Sequence, residues 1–362
     1  MTAASTASPG LAEASPFHEA PVSSTETAWA RLWASALNDP RDIVFINLGL
    51  VMTLVTWPLA IGLYVLAARG QFAWWMALPY WAIVGGAFID RYILMAHCTM
   101  HRPLFTRRFR LLNLYIPWAL GPLAGVSAES YSLHHIGMHH KEANLFGDLS
   151  TTMPFRRDRF GHWLRYWARF MTIGIIDLTA YHLRKGNTKL ARRLVVNELL
   201  YWGGSAALAY FVSVPVTLVV FWLPILVVRT LMMAGNWGQH AFVDPDSPDN
   251  DFNSAITCIN TRYNRRCFND GYHIIHHLKP TLHYSEMADE FHKNRHLYAQ
   301  NDAIVFEGLD FFEVWFCLMT GQKGKLARAF VRLPGAPARS DEEVIALIDR
   351  RMAPFSREAR AA

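Results

Sequence analysis

The sequence predicts an all-α, polytopic membrane protein in which four transmembrane helices form two hairpins beneath a cytosolic, histidine-rich helical cap. Composition is the first observation, because apolar residues make up 52% of the 362 residues and charged residues only 18%. A soluble domain averages about 25% charged residues. The second observation is a set of long uncharged runs, and the third is that basic residues gather in the loops beside them.

The first predicted hairpin joins two apolar runs through the short polar segment "RGQ" at residues 69–71. Residues 43–68 contain no charge, and residues 72–96 are charged only at Asp90 and Arg91. A hydrocarbon core about 30 Å thick needs roughly 20 helical residues, so each run is long enough to cross it.

The second predicted hairpin consists of residues 198–214 and 215–235, again with a tight link. Between the hairpins, residues 111–126 are apolar but interrupted by Pro and Gly, which favours an interfacial or re-entrant segment. Residues 173–183 and 304–319 are predicted as amphipathic helices lying on the membrane or on the soluble part. A buried helix of a large soluble protein is the alternative for any single run, but two hairpins of long runs favour a membrane protein.

The predicted domain organisation has three parts. Residues 1–40 form a disordered or weakly structured tail, residues 41–322 the membrane domain, and residues 323–362 a C-terminal tail that ends disordered. The four cysteines form no CxxC pair, and no secretory segment follows the start, so we expect reduced thiols and no disulfide framework.

The charge distribution predicts orientation. Lys and Arg number 35 against 29 Asp and Glu, and they flank the apolar runs, as in "RRFR" and "FRRDRF". Membrane proteins concentrate basic residues on the cytosolic side, whereas a nucleic-acid-binding protein would gather them on one face with aromatics. We therefore expect no nucleic-acid partner and a cytosolic location for both termini. Either a bacterial inner membrane or a eukaryotic endomembrane fits.

The histidines form boxes, "HCTMH", "HHIGMHH", "NWGQH" and "HIIHH", that the hairpin topology places on that same cytosolic side. Within the boxes, histidines three and four apart share a helix face, and adjacent ones diverge by about 100°, so one helix can serve two metals. Nine imidazoles are too many for one tetrahedral zinc, and imidazole also suits iron and copper. The pattern predicts two metal ions held by His97, His101, His135, His139, His140, His240, His273, His276 and His277.

Other metal chemistries fit the pattern less well. The chain contains no HExxH motif of a zinc peptidase, and no histidine has a Glu three residues before it, as soluble di-iron bundles require. A haem cytochrome or a metal transporter would place its ligands inside the spans.

With these boxes, the chain resembles the integral-membrane fatty acid desaturase superfamily over roughly residues 43–319. "HIIHHLKPTLHYSE" is similar to the third box of that family, and "NWGQH" to the NxxxH of acyl-CoA desaturases. The resemblance implies a di-iron centre that uses dioxygen and two electrons to attack a C–H bond of a long acyl chain. It also implies iron ligation by the nine histidines and a water-mediated contact for Asn236. Partners that orient the histidines are expected from Glu142, Asn144, Asp148 and Asp270.

The second box departs from the family pattern, because it reads HxxxHH from His135 where desaturases usually show HxxHH. The longer spacing also occurs in membrane alkane hydroxylases and sterol-type oxidases, and it is expected to keep His135 and His139 on one helical face. The prediction is a desaturase acting on the fatty acyl chain of a lipid or thioester, with electrons from a separate ferredoxin or small haem protein. The alternatives are a di-iron hydroxylase or ketolase acting on an alkane, sphingolipid or carotenoid, and a non-enzymatic membrane metal-binding protein.

Overall fold

The computed structural model describes residues 19–355, and this part of the chain is mostly helical. Two of its helices are long and apolar enough to cross a membrane, Pro40–Ala68 and Val214–Gln239. They match the first and fourth predicted runs. The four-span count therefore stays a prediction.

The second predicted run is helical, but its segments differ in helix type. The segments are Trp74–Met76, Ala77–Ile83, a π turn at Val84–Phe88, and Ile89–His101. Its many Trp and Tyr residues, together with Asp90 and Arg91, make it less hydropathic than the first run. The last segment continues past residue 96, so His97 and His101 lie on the helix itself rather than after it.

The third predicted run is the second half of a longer helix, Thr188–Phe211, whose first turns carry Lys189, Arg192 and Arg193. This helix packs against Phe160–Arg184, to which residues 185–187 connect it. The predicted amphipathic helix at 173–183 is thus only one part of a helical hairpin that the sequence reading missed. Residues 107–126 break into the short helical segments Arg107–Leu114, Ile116–Leu120 and Pro122–Ala124.

Gly125 ends this broken segment in a conformation that only glycine adopts readily. Its φ is 78°, and a Cβ there would lie 2.4 Å from the backbone of Pro224. The close approach brings the broken segment against the start of the Leu223–Gln239 helix, which leads to His240.

The predicted all-α class is confirmed as a mostly helical fold, to which the described residues add one small parallel two-stranded sheet. Thr257–Ile259 pairs with Val305–Glu307, with Cys258 opposite Phe306. Residues 304–319 are therefore not one amphipathic helix. The β-branched and aromatic residues at 304–306 are fully buried, which favours a strand. A helix begins only at Phe311–Met319, where Asp310 and Glu313 form a capping box.

The described residues also form several shorter helices. They are Ala28–Ala34, Asp251–Ser254, Arg262–Arg266, His273–Leu278, Met287–Gln300, Lys323–Ala329 and Asp341–Arg351.

The segment predicted as a C-terminal tail contains two of these helices and is part of the core. Val344, Ile348 and Met352 are fully buried against the sheet region. Arg157, which has no exposed surface, donates to the carbonyls of Arg351 and Ala353 and so fastens this segment. The N-terminal tail prediction concerns residues 1–40, of which 1–18 lie outside the described residues, as do residues 356–362. The predicted domain boundaries and the side of the termini stay predictions.

Candidate metal centre

Four helical segments present the histidines of the boxes. His97 and His101 occupy the last turns of Ile89–His101. The second box lies on one continuous helical segment, built from Ser130–His134, a π turn at His135–His139, and His140–Glu142. His240 follows the Leu223–Gln239 helix directly, and the third box lies on the short helix His273–Leu278.

The structure brings all nine predicted histidines together in two groups. Within each group, the ring nitrogens that could bind a metal lie within 4.8 Å of one another. The first group, called the five-histidine group below, contains His97, His101, His135, His140 and His276. The second, the four-histidine group, contains His139, His240, His273 and His277. Asn236, the tenth predicted site residue, belongs to neither group.

The Nε2 atoms of the five-histidine group converge on a common point. His140 Nε2 lies 3.0 Å from His135 Nε2 and 2.9 Å from His276 Nε2. One ring nitrogen has a single in-plane lone pair or proton, so it cannot form a linear hydrogen bond with both neighbours. Two nitrogens about 2.1 Å from one metal, at right angles, would lie about 3.0 Å apart. These short separations therefore fit a shared metal better than a hydrogen-bonded chain.

The Nε2 atoms of the four-histidine group also lie close together. His273 Nε2 lies 3.1 Å from His277 Nε2 and 3.3 Å from His240 Nε2. Its donors are again imidazole nitrogens alone, a set that suits iron, copper, nickel or zinc.

A π turn determines how the second box is divided between the groups. The sequence reading paired His135 with His139, but the structure pairs His135 with His140 and places His139 in the other group. The third box has the ordinary spacing, in which His273 and His277, four apart, share one group while His276 joins the other. The π turn absorbs the additional residue of HxxxHH, so His135 and His140 correspond to the pair that is four apart in the third box.

Three of the histidines are oriented through their Nδ1 atoms. His97 Nδ1 lies 3.2 Å from Asp270 Oδ1, and His139 Nδ1 lies 2.6 Å from Asp148 Oδ2. His240 Nδ1 donates to the backbone carbonyl of Ser254 at 2.7 Å. Such contacts fix the ring orientation and leave Nε2 free to bind a metal.

Asp148 is the most enclosed of these partners. Its Oδ2 also accepts from the backbone N–H of Asn144 at 3.0 Å, while its Oδ1 accepts from the N–H and hydroxyl of Ser150 at 2.7 Å each. Burial raises the pKa of this carboxyl, but the nearby His139 and the hydrogen bonds from His139 and Ser150 outweigh burial and lower the pKa overall. Asp148 is therefore a carboxylate at neutral pH.

The other two predicted partners act differently. Glu142 bonds the hydroxyl of Tyr181 at 2.7 Å and pairs with Lys185 at 2.8 Å, so it contacts neither group. Asn144 acts on the histidines indirectly. Its backbone N–H donates to Asp148, and its Oδ1 accepts from the N–H of Thr152, whose hydroxyl donates to the carbonyl of His240.

Burial lowers the pKa of several imidazoles in both groups. It is the largest cause that lowers the pKa of His140 and of His240, each to about 3, and neighbouring histidines lower them further. The pKa values of His135, His273, His276 and His277 are lowered well below the usual value for the same reasons. A neutral imidazole is the form that binds a metal, so these six rings do not need to lose a proton first.

A cavity of about 100 Å³ lies beside both groups, where His97, His135, His139 and His273 form part of its wall. Its remaining lining is largely apolar, including Ile93, Leu94, Leu231, Met232, Met233 and Phe312. A second cavity of about 40 Å³ shares Tyr131, His134 and Met232 with it. We call the larger one the histidine cavity.

Asn236 also lines the histidine cavity. Its amide nitrogen donates to the carbonyl of Ser150 at 3.0 Å and to the hydroxyl of Tyr166 at 2.7 Å. These bonds hold the side chain at the wall of the cavity. The predicted water-mediated contact with a metal stays a prediction.

The segment that carries the two histidine groups matches a known protein family. The family model described as "Fatty acid desaturase" matches residues 72–308, which include all nine histidines. The chain belongs to the fatty acid desaturase family. Comparisons with curated proteins and with solved structures gave no match.

Several supporting residues of this desaturase-family chain were missed by sequence reasoning. Tyr263 donates its hydroxyl to Asp270 at 2.8 Å, and Tyr166 and Ser150 hold Asn236. The carbonyl of Ser254 carries no side-chain signal at all. Tyr263 lies only seven residues from Asp270, so proximity was the one signal that could have found it.

Proposed function

We propose that this protein is an oxygen-dependent di-iron desaturase that introduces a double bond into the fatty acyl chain of a lipid or thioester. The observation that carries the proposal is the convergence of nine imidazoles in two groups beside a largely apolar cavity, whose wall includes four of them. Membership of the desaturase family supports iron as the metal.

Dioxygen is the oxidant in the proposed reaction, and iron ions held by the two groups would activate it. Dioxygen, two electrons from a separate ferredoxin or small haem protein and two protons would convert a –CH2–CH2– unit into –CH=CH– with two molecules of water. The five-histidine group would hold one ion and the four-histidine group the other.

The residues of the chain would orient the histidine rings, bind the acyl chain and exclude water. Asp148 and Asp270 would orient the rings of His139 and His97 through Nδ1, so that Nε2 of each ring is free for the metal. The apolar side chains of the histidine cavity would bind a segment of the acyl chain and keep water away from it.

The π turn bears on the choice between desaturation and hydroxylation. The longer second box was the feature that favoured a hydroxylase. Because the π turn gives the second box the same division of histidines as the third box, the spacing does not distinguish the two reactions. The family match supports desaturation as the proposed reaction, and hydroxylation is a measurable alternative outcome.

The protein is proposed to be an integral membrane protein with its histidines on the cytosolic side. The helices Pro40–Ala68 and Val214–Gln239 support membrane insertion. Four spans and the cytosolic side of the termini are part of the same proposal, and they rest on the apolar runs and the basic loops.

The test is mass-spectrometric lipid profiling of a host that expresses the protein together with a suitable donor. Acyl chains that lose two hydrogens with the wild type, but not with the His276→Ala/His277→Ala variant, would support desaturation. His296→Ala, which changes an exposed histidine outside both groups, is the matched control. A gain of one oxygen would indicate a hydroxylase, and bound iron without any oxygen-dependent oxidation would indicate a metal-binding protein.

A further inference from the structure

A recess lined by arginines lies next to the histidine cavity. It has a volume of about 530 Å³, and its lining includes Arg91, Arg262, Arg265, Arg266, Val44 and Phe268. Sites for small molecules are typically about 300–1,000 Å³. None of these residues belongs to the histidine groups, and the proposed reaction gives them no role.

The arginines come from two separate helices. Arg91 lies on Ile89–His101, and the other three lie on Arg262–Arg266. Arg266 is fixed by Asp90, to whose Oδ1 its Nη2 donates at 3.0 Å, and by the carbonyl of Gly86 at 2.7 Å. Within residues 19–355, neither Arg91 nor Arg262 forms an ion pair with a carboxylate. The recess therefore offers at least two guanidinium groups that no described carboxylate neutralises.

The position of the recess suggests what kind of anion it meets. Val44 lies in the first turn of the Ile43–Ala68 helix, the longest uncharged helix of the chain. If that helix crosses the membrane, the recess lies at the level of the lipid headgroups. Basic pockets at this level bind the phosphates of anionic lipids.

The recess and the histidine cavity have a common boundary. Asp90 lines the histidine cavity, while its ion-pair partner Arg266 lines the recess. A molecule whose head occupies the recess could therefore extend an apolar chain toward His97, which lies two turns further along the helix that carries Asp90.

We propose that the recess binds the phosphate of an acyl-bearing membrane phospholipid, with Arg91 and Arg262 as the principal contacts. Guanidinium groups bind phosphate through paired, charge-assisted hydrogen bonds. The role of the bound lipid as substrate rests on the proposed function, but recognition of its phosphate does not. The phosphates of a soluble acyl thioester are the other source of the same chemistry.

Binding is measured on the full-length protein in uncharged detergent micelles. The probes are dioctanoyl phosphatidate, dioctanoylglycerol, which lacks the phosphate, and coenzyme A, which carries soluble phosphates. The variant Arg91→Gln/Arg262→Gln removes the two principal contacts and leaves the pair of Arg266 with Asp90 intact. Arg107→Gln/Arg110→Gln removes the same charge from exposed positions outside the recess and is the matched control.

We expect wild type and control to bind phosphatidate equally, and the recess variant to bind it at least about tenfold more weakly. Dioctanoylglycerol should bind all three proteins alike, and added salt should weaken only phosphatidate binding. Equal binding of phosphatidate by the wild type and the recess variant would overturn the proposal. Tighter, arginine-dependent binding of coenzyme A would overturn the lipid as the source of the phosphate.

A turnover measurement separates this proposal from the proposed function. The recess variant should show a raised KM for a phospholipid substrate with little change in kcat, and unchanged values for a fatty acid methyl ester. Arginine-dependent binding without oxidation of any acyl chain would sink the proposed function and leave the phosphate site standing. Oxidation of the phospholipid with the same KM in wild type and recess variant would support the proposed function and overturn the phosphate site.

Discussion

Replacing Asp148 with Asn tests whether the carboxylate positions His139 for metal binding. The substitution keeps the shape of the side chain and removes its charge. Both oxygens of Asp148 accept N–H donors, His139 and Asn144 on Oδ2 and Ser150 on Oδ1. An amide NH2 must therefore face an N–H donor whichever way it turns.

The less costly orientation places the NH2 toward Ser150, since the hydroxyl of that residue can turn to accept a hydrogen bond. One bond, from the Ser150 N–H, is still lost. A hydrogen bond to a charged group contributes about 1.5–3 kcal/mol, so the variant should be destabilised by roughly that amount. The opposite orientation would lose the bonds from both His139 and Asn144, and would favour the His139 tautomer that carries its proton on Nε2.

Loss of the charge should also weaken metal binding. Substituting a residue that orients a metal ligand typically lowers affinity about 10–100-fold. We expect iron in the four-histidine group to be released to a chelator at lower concentration, while the five-histidine group keeps its metal. Iron content after chelator titration and the unfolding temperature are the measurements. Asp177→Asn, which changes a surface carboxylate paired with Arg169, is the control. Equal iron retention and equal unfolding temperatures in the two variants would refute the reasoning.

Three further substitutions test the packing around the centre. In Gly137→Ala the new Cβ would lie 3.0 Å from Cε1 of His182, so the unfolding temperature should fall by the equivalent of about 1–3 kcal/mol. Adding His182→Ala should relieve that contact, and a double variant as unstable as the sum of the two single variants would contradict this explanation. Met232→Trp should separate the two cavities that Met232 lines. The variant should keep its bound iron, but its products should shift toward shorter acyl chains. An unchanged product profile would argue against an acyl chain that extends through both cavities. Arg157→Met should lower stability by at least about 3 kcal/mol, because the buried guanidinium donates to backbone carbonyls in distant segments, and the exposed Arg159→Met should have little effect.

The sequence predicted the components of the site better than their connections. Pairs such as His97/His101 and His273/His277 follow from the period of an α-helix, which is a local property, and the structure brings all nine predicted histidines together. The π turn at His135–His139 was not predictable in this way, because the α-helical period pairs residues four apart. The choice of hydrogen-bond partners was equally limited, since Asp148 and Glu142 are both close to the box in sequence but only Asp148 turns toward His139.

The fold also shows that local patterns are predictable from the sequence and that distant pairings are not. Uncharged length alone identified the Ile43–Ala68 helix, whose bounds match the predicted run. The strand Val305–Glu307 was read as the start of a helix, because its pairing with Thr257–Ile259 joins segments far apart in sequence. An apolar run as short as residues 304–306 fits a buried strand and a helical turn equally well, and only the partner decides between them.

The two metal groups are joined through adjacent residues, and this makes them one structural unit. His139 and His140 are consecutive yet belong to different groups, and so are His276 and His277. Consecutive side chains on a helix point about 100° apart, so each helix must lie between the two groups at one particular rotation. Turning the His273–Leu278 helix to improve the contacts of one group would withdraw a ligand from the other. The π turn has the same consequence for the second box, because unwinding it by one residue would move His140 away from His135 while shifting His139. Both groups are therefore assembled together, and Asp148 and Asp270, one contacting each group, hold a single arrangement in place.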